Sequence, residues 1–285
     1  MLTMQLSNTE LRLLARAFTR PVFSELGRGH VPEIVAQAAE VVKASSASIA
    51  HVLQVAYENL RAAYRFEYVY KNEIASKIVF AKYSPRTASL VSEMRTGDSI
   101  LDVAIFNGTS TAYEIKTEYD TLARLPEQLK DYLQVFDRVN VVTHPDGVQQ
   151  VLNVAPDVVG VMALGRRGQL SVVRSASPNA ASTDPAAIFR ILRRQEYLEV
   201  LAKTHQWNGE VPTGRLYAEA LRRFQELPPE LAHELAVLEL RKRTGSKEQI
   251  AFLRSLPLCL RTLGLSENLS ATAKNRLLST IQNSF

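Results

Sequence analysis

Three charged residues stand on two short alternating runs in "LDVAIFNGTSTAYEIK": Asp102 on the first, then Glu114 and Lys116 on the second, spaced as Glu-x-Lys. Two carboxylates a few ångströms apart repel each other unless a cation lies between them. Hard oxygens at that spacing suit Mg²⁺, which takes one or two carboxylates, keeps several waters and accepts phosphate oxygens. A metal there lowers the pKa of a bound water and polarises a phosphodiester. An adjacent lysine orients the hydroxide and offsets charge developing on the phosphate. The backbone carbonyl of Ile115, between Glu114 and Lys116 and facing the sheet edge, is a further ligand candidate. The chemistry on offer is metal-assisted phosphodiester hydrolysis, and the plainer reading is a pair of solvated strands.

Side-chain parity decides whether these groups can meet. Directly opposed residues of an antiparallel pair face the same way. A two-residue Asn107-Gly108 loop sets Asp102 against Tyr113 and puts the carboxylates on opposite faces. A three-residue loop, either ending at Gly108 or spanning 107–109, brings Asp102, Glu114 and Lys116 to one face. Three-residue loops with a glycine-containing bulge are common. The spacing therefore predicts an odd loop or a bulge that restores the parity.

The elements around the hairpin follow from periodicity. The first sixty residues read as helical. Ser7 and Glu10 form a capping box, Pro21 closes the helix it opens, and Pro32 suits the first turn of another. From Ile49 the pattern predicts one long helix or two consecutive ones, ending before Ser84-Pro85. The period then changes to two. Leu101, Val103 and Ile105 are expected on one face, Asp102, Ala104 and Phe106 on the other. A helix over about 126–136, a strand at 138–144, a short helix near 146–153 and strands at 158–165 and from Gln169 complete a mixed α/β layer, with helices covering a sheet. The stretch "ASPNAASTDPAA" (176–187) has a linker's composition, and everything after it reads helical.

Two helices bear on the site. Glu73 lies on the helix before the sheet, and Gln128 and Tyr132, four apart, share one face of the helix after the hairpin. A lone Glu-x-Lys is weak, since about one is expected by chance in a chain this long; the aspartate and these helices sharpen it. Together "YVYKNEIASKI", "LDVAIFNG" and "AYEIKTEYDTLARLPEQLKDYLQVFDRVNVVT" resemble the PD-(D/E)XK nuclease superfamily, in particular a small bacterial and phage-associated branch of nuclease-like proteins. The resemblance covers roughly residues 60–145. It implies a restriction-endonuclease-like core in which Glu73, the helix acid, Asp102, the motif aspartate, and Glu114, the second ligand, hold the metal, with Lys116 as the catalytic lysine. Gln128 and Tyr132 match the Gln-x-x-x-Tyr helix of the RecB-like and Cas4-like members, beside the active site. The family's proline before the aspartate is Leu101 here. Glu67 competes with Glu73 for the helix position, and Glu73 with Lys77 also reads as a plain i,i+4 pair. Gln128 and Tyr132 also read as simple packing residues.

The expected organisation is an N-terminal helical segment (1–58), a nuclease-like core (59–177) and a helical basic module (186–285). Residues 1–185 carry 19 basic and 19 acidic side chains, so the whole net charge of +5 falls in the last third. That module is expected to dock nucleic acid or a partner. Weaker phosphate-contact candidates are Arg124, Arg166, Arg167 and the Arg241-Lys242-Arg243 cluster, which also reads as a helix end with favourable dipole placement. Asp120 reads as a turn or cap residue.

The expected function is a Mg²⁺- or Mn²⁺-dependent nuclease, with DNA favoured over RNA. The alternative is an inactive nuclease-fold module that binds nucleic acid or a protein. A homodimer stays open. One cysteine excludes an internal disulfide framework and a cysteine-built zinc site. The five histidines are scattered, which argues against a histidine zinc site. No apolar run approaches the ~20 residues of a membrane span, and the N-terminus is no signal peptide. A cytoplasmic protein is expected.

Overall fold

The computed structural model describes residues 5–83, 86–243 and 246–284. Its centre is a six-stranded mixed sheet in chain order: β1 (Ser89–Thr96), β2 (Ser99–Phe106), β3 (Ser110–Lys116), β4 (Arg138–Thr143), β5 (Gly160–Leu164) and β6 (Leu170–Arg174). The first three strands meander antiparallel, β3–β4 and β4–β5 are parallel, and β6 returns antiparallel. Parallel neighbours need a crossover. Helix α6 (Leu125–Leu133) supplies the first crossover and α7 (Val148–Val154), preceded by a short 3₁₀ turn, the second.

Ahead of the sheet, the described residues form α1 (Asn8–Arg16), α2 (Arg20–Arg28), α3 (Glu33–Val41), α4 (Ile49–Ala63) and α5 (Glu67–Ile74). The Ser7–Glu10 capping box forms as expected. Pro21 does not close α1; it sits in the first turn of α2, where its missing N–H costs nothing. The long pattern from Ile49 resolves into two helices, broken at Tyr64–Phe66, and α5 continues into π-helical turns over Ala75–Lys82. The Ser84-Pro85 stop lies outside the described residues. Almost every side chain of α5 is buried, because the helix is wedged between the sheet and the outer helices.

After the sheet come α8 (Pro185–Ile191), α9 (Arg194–His205), α10 (Thr213–Gln225), α11 (Pro229–Arg241), α12 (Lys247–Ser255), α13 (Arg261–Ser266) and α14 (Ala271–Gln282). They do not form a separate module. Helices α8 to α11 cover the α6 face of the sheet. Helices α12 to α14 join the N-terminal helices on the other face, where Leu253, Leu260, Leu277 and Ile281 pack with Leu26, Leu53 and Val69. The 176–187 stretch is no free linker either. Asn179 donates to the carbonyls of Leu133 and Phe136, and Asp137 accepts from the N–H groups of Asn179 and Ala180. Two apolar layers, one on each face of a shared sheet, thus run across the three expected segments of the chain.

The strand β1 carries no clear signal in the sequence. "SLVSEMRT" lacks a clean alternation, and Glu93 within it takes a left-handed backbone, φ 55°. The strand β2 also departs from strict alternation. Leu101 packs with the α6 layer and Val103 with the opposite one, so the strand rolls over at Asp102. Among the described residues, no helix is long and apolar enough to cross a membrane.

Candidate active site

The β2–β3 hairpin closes with a three-residue loop over 107–109. Asn107 N–H donates to the Thr109 carbonyl, and Gly108 takes φ 119°, a conformation that favours glycine. The ladder pairs Val103 with Tyr113 and Phe106 with Ser110, the register that sets Asp102 opposite Glu114. The expected odd loop is present, and so is the parity it was invoked to restore. Regular pairing ends at Val103, and the Asp102 carboxylate takes over the role of a strand partner: its Oδ2 accepts from the Ile115 N–H at 2.7 Å. N–H and C=O of one strand residue leave on the same side, so the Ile115 carbonyl faces this opening between β2 and β3 rather than an outer edge of the sheet.

Helix α6 presents its Gln128–Tyr132 face to the same place. Glu114 lies fully buried, with the Lys116 ammonium 2.7 Å from Oε1 and the Tyr132 hydroxyl 2.8 Å from Oε2. That hydroxyl's single proton also faces the Ile100 carbonyl at 3.1 Å. Lys116 donates a second bond to Gln128 Oε1 at 2.9 Å. At the end of β3, the Thr143 hydroxyl donates to the Lys116 carbonyl at 2.8 Å. Asp102, Glu114, Lys116, Gln128 and Tyr132 are thus brought into one cluster. Between β3 and α6, Asp120 accepts from the Thr117 N–H and hydroxyl, the turn role expected of it.

The cluster is electrostatically frustrated. Burial, then Glu114 and Glu67, push the Asp102 carboxyl up to about 8, against the Ile115 N–H and Lys71, which favour its charged form. Burial and the Glu114 carboxylate also raise the Tyr132 phenol, so it serves as a donor and not as a base. Buried like charges ask for a cation.

Glu73 does not join this cluster. It accepts from the Tyr57 hydroxyl at 3.0 Å and faces Arg61 at 3.7 Å and Lys77 at 3.6 Å. The plain i,i+4 reading of Glu73 and Lys77 describes it. The helix acid near Asp102 is Glu67. Six residues of helix rotate a side chain by about 600°, so Glu67 and Glu73 cannot share a face. Glu67 pairs closely with Lys71, whose ammonium also lies 3.3 Å from Glu93 Oε1. Sequence reasoning missed Lys71 and Glu93. Glu93 falls opposite Asp102 in the β1–β2 register, at the one position where the ladder skips a pair. A left-handed glutamate there is strained backbone beside the site.

Among the described residues, no group of three or more His, Cys, Asp or Glu side chains is arranged to hold a metal ion. The donor set that fits a hard cation is smaller: Asp102, Glu114 and the Ile115 carbonyl, with Glu67 nearby but occupied by Lys71. One or two carboxylates with waters suffice for Mg²⁺.

The weaker candidates lie elsewhere. Arg124 is exposed at the start of α6. Arg166 and Arg167 are exposed in the β5–β6 turn, whose Gly168 abuts Glu73 and not Asp102. In the basic cluster, Lys242 pairs with Glu239, and Arg243 forms a two-pronged bond to Glu196 at 2.6 Å on each arm. Arg241 ends α11, the helix-end role also considered for this cluster; Thr244 and Gly245 lie outside the described residues. Lys242 and Arg243 are therefore committed within the chain.

The family model described as Bacteriophage P4 protein cII matches residues 60–255, a span that includes every residue of the cluster. "Protein cII" of Enterobacteria phage P4 is 39% identical over 61 residues, which cover 21% of this chain and 23% of that protein's length. No solved structure matches. The chain belongs to the bacteriophage P4 protein cII family.

Proposed function

We propose that this member of the bacteriophage P4 protein cII family is a divalent-metal-dependent phosphodiesterase acting on nucleic acid, DNA ahead of RNA. One observation carries the reading. Two carboxylates oppose each other across β2 and β3, one of them kept from ionising near neutrality, with a buried lysine beside them. Buried acids without an external task are costly.

Asp102, Glu114 and the Ile115 carbonyl would hold Mg²⁺ or Mn²⁺, with Glu67 able to join if Lys71 releases it. When bound, such an ion polarises the phosphodiester and acidifies a water. The chain's own residues do the rest. Gln128 fixes the Lys116 ammonium so that it faces the space beside Glu114. There it orients the attacking water and offsets charge on the phosphate oxygens. Tyr132 clamps Glu114 in one rotamer from below.

A second reading is a nuclease-like scaffold that binds without cutting. It is favoured by the ammonium groups of Lys71 and Lys116, which already neutralise Glu67 and Glu114 within the chain. A cleavage panel decides between them: linear and circular duplex, single-stranded DNA and RNA, each with Mg²⁺, Mn²⁺ or EDTA, beside Glu114→Gln. Metal-dependent cutting, reduced about 10³-fold in the variant, is expected. Failure to cut any substrate, together with no metal-induced rise in Tm, would leave the scaffold.

A further inference from the structure

Two concavities abut along the outer side of β1. The first, roughly 380 Å³, opens over Glu67, Lys71 and Glu93 and is walled by Phe18, Phe66 and Tyr68. The second, roughly 450 Å³, follows Ala88–Ser92 and is lined by Arg193, Arg243 and Lys274. Arg20, Ser92 and Ser266 line both, so the basic furrow adjoins the hollow over Glu67, Lys71 and Glu93, the residues beside Asp102. Arg20 stands at the junction, 3.1 Å from Glu93 on the site side and 3.3 Å from Glu267 on the furrow side.

The furrow has the chemistry of a polyanion track. Four cations line it; Arg243 is paired with Glu196 and Arg20 with Glu267 and Glu93, so the positive excess rests on Arg193 and Lys274. Arg243 is fixed in its floor by Glu196, whereas Arg193 is exposed and Lys274 half-buried over the Phe252 ring. Ser246, Gln249 and Asn268 also line it, the Gln249 amide bonded to the Gly264 carbonyl. At the site end, Phe66 packs partly exposed on Tyr68, which stacks on Phe18 with centroids 5.4 Å apart. Cationic walls with an aromatic face are how single strands are held, phosphates on the charges and bases on the rings. Bases within a duplex stack on one another and do not meet such rings, so the aromatic face favours a single strand.

We propose that the furrow along β1 carries a single strand of nucleic acid, its phosphates on Arg193, Lys274 and Arg20 and a base against Phe66, leading to the Asp102–Glu114 cluster. This deepens the nuclease reading and rests on it for the role of the strand. The test is fluorescence anisotropy in EDTA, where binding is read without cutting. Probes are a labelled oligonucleotide of about 12 nucleotides as single-stranded DNA, as single-stranded RNA and as duplex. Single strands should bind at least tenfold more tightly than duplex, and the DNA and RNA arms set the sugar preference. Arg193→Glu/Lys274→Glu should weaken single-strand binding at least tenfold, and Arg193→Gln/Lys274→Gln should lower the salt slope by about 1.4. Arg215→Glu, on the exposed side of α10, should change neither. Equal binding of duplex, no binding of single strands, or wild-type binding by both furrow pairs overturns the proposal. Single strands bound in the furrow but cut under no metal would remove the nuclease reading and keep the track. Cutting that is indifferent to both furrow pairs would do the reverse.

Discussion

Strand β3 buries a polar cluster at each end, and the two are built on opposite principles. At its start, the Ser110 hydroxyl lies 2.7 Å from His233 Nε2 and accepts from the Asp137 N–H at 3.0 Å. Asp137 in turn accepts from the Thr109 hydroxyl and from the N–H groups of Asn179 and Ala180. Burial opposes its charge, but those donors outweigh burial and hold its carboxyl below the usual range. At the end of the strand, Asp102 and Glu114 face each other, burial drives Asp102 toward its neutral form, and Glu93 is strained nearby. The first cluster satisfies itself and ties β3 to α11 and to the 176–184 segment. In the second, Lys116 and Tyr132 bond Glu114, but Asp102 has burial and the Glu114 carboxylate against its charge and only the Ile115 N–H and Lys71 in its favour. Buried polar groups that complete each other are joints, and those that do not are places of work.

The widest separation of the two is expected from a crossed pair of variants. Glu114→Gln should cost about 10³-fold in cleavage with Tm within about 2 °C of wild type. His233→Ala should leave the cleavage rate at folded temperatures unchanged and cost about 2–3 kcal/mol in urea unfolding, through a lost bond, an under-satisfied Ser110 and a cavity. Loss of activity in the second variant, or of stability in the first, would merge what we separate.

The pH response sharpens it next. With its folded pKa raised from 3.8 to about 8, Asp102 binds a proton in the native state that the unfolded chain has released. Stability in EDTA should therefore fall as pH rises from about 4 to about 8. Asp102→Asn should remove that slope, being more stable than wild type by roughly 5 °C in Tm above pH 8 and no more stable below pH 4. His233, drawn down chiefly by burial, slopes the other way: the unfolded imidazole takes the proton first, so stability is lost as pH falls below about 6.5. His233→Gln should flatten the acid limb alone. Saturating Mg²⁺ should erase the Asp102 slope and leave the His233 slope in place.

The smallest effect concerns Glu93. Asparagine tolerates a left-handed backbone better than glutamate does, so Glu93→Asn should raise stability by about 0.5 kcal/mol. A loss of that size instead would mean that its ion pairs with Lys71 and Arg20 outweigh the strain.

What the sequence disclosed, and what it hid, follows from how local each signal is. Parity along β2 and β3 and the four-residue step from Gln128 to Tyr132 are short-range, and they bring five members of the cluster together. Choosing between Glu67 and Glu73 needed the rotational phase of α5, and a helix buried all round shows no polar face from which to read it. The β1 strand escaped because its residues serve several masters: Ser89 bonds the Leu240 carbonyl, Glu93 meets Lys71, and Met94 packs with the α6 layer. Its turn was legible after all, since Thr96-Gly97-Asp98-Ser99 is a two-residue hairpin connection. The sharing of α8 to α14 between two layers was beyond reach, because an amphipathic stripe does not name the face it will cover. Nor could a count of charges reveal that Lys242 and Arg243 already had carboxylate partners.

The layer on the α5 side is closed by a strand of chain from far away. Helix α14 packs on α2 and α4, and the Ile49 N–H donates to the Asn283 carbonyl. Roughly 240 residues separate the end of α2 from the start of α14. On a ribosome adding about 5–20 residues per second, that is a delay of about 10–50 s. For that time Phe23, Leu26 and Leu53 have been made but lack Leu277 and Ile281, the neighbours that complete their burial. Completion of this layer is thus deferred until α14 is synthesised.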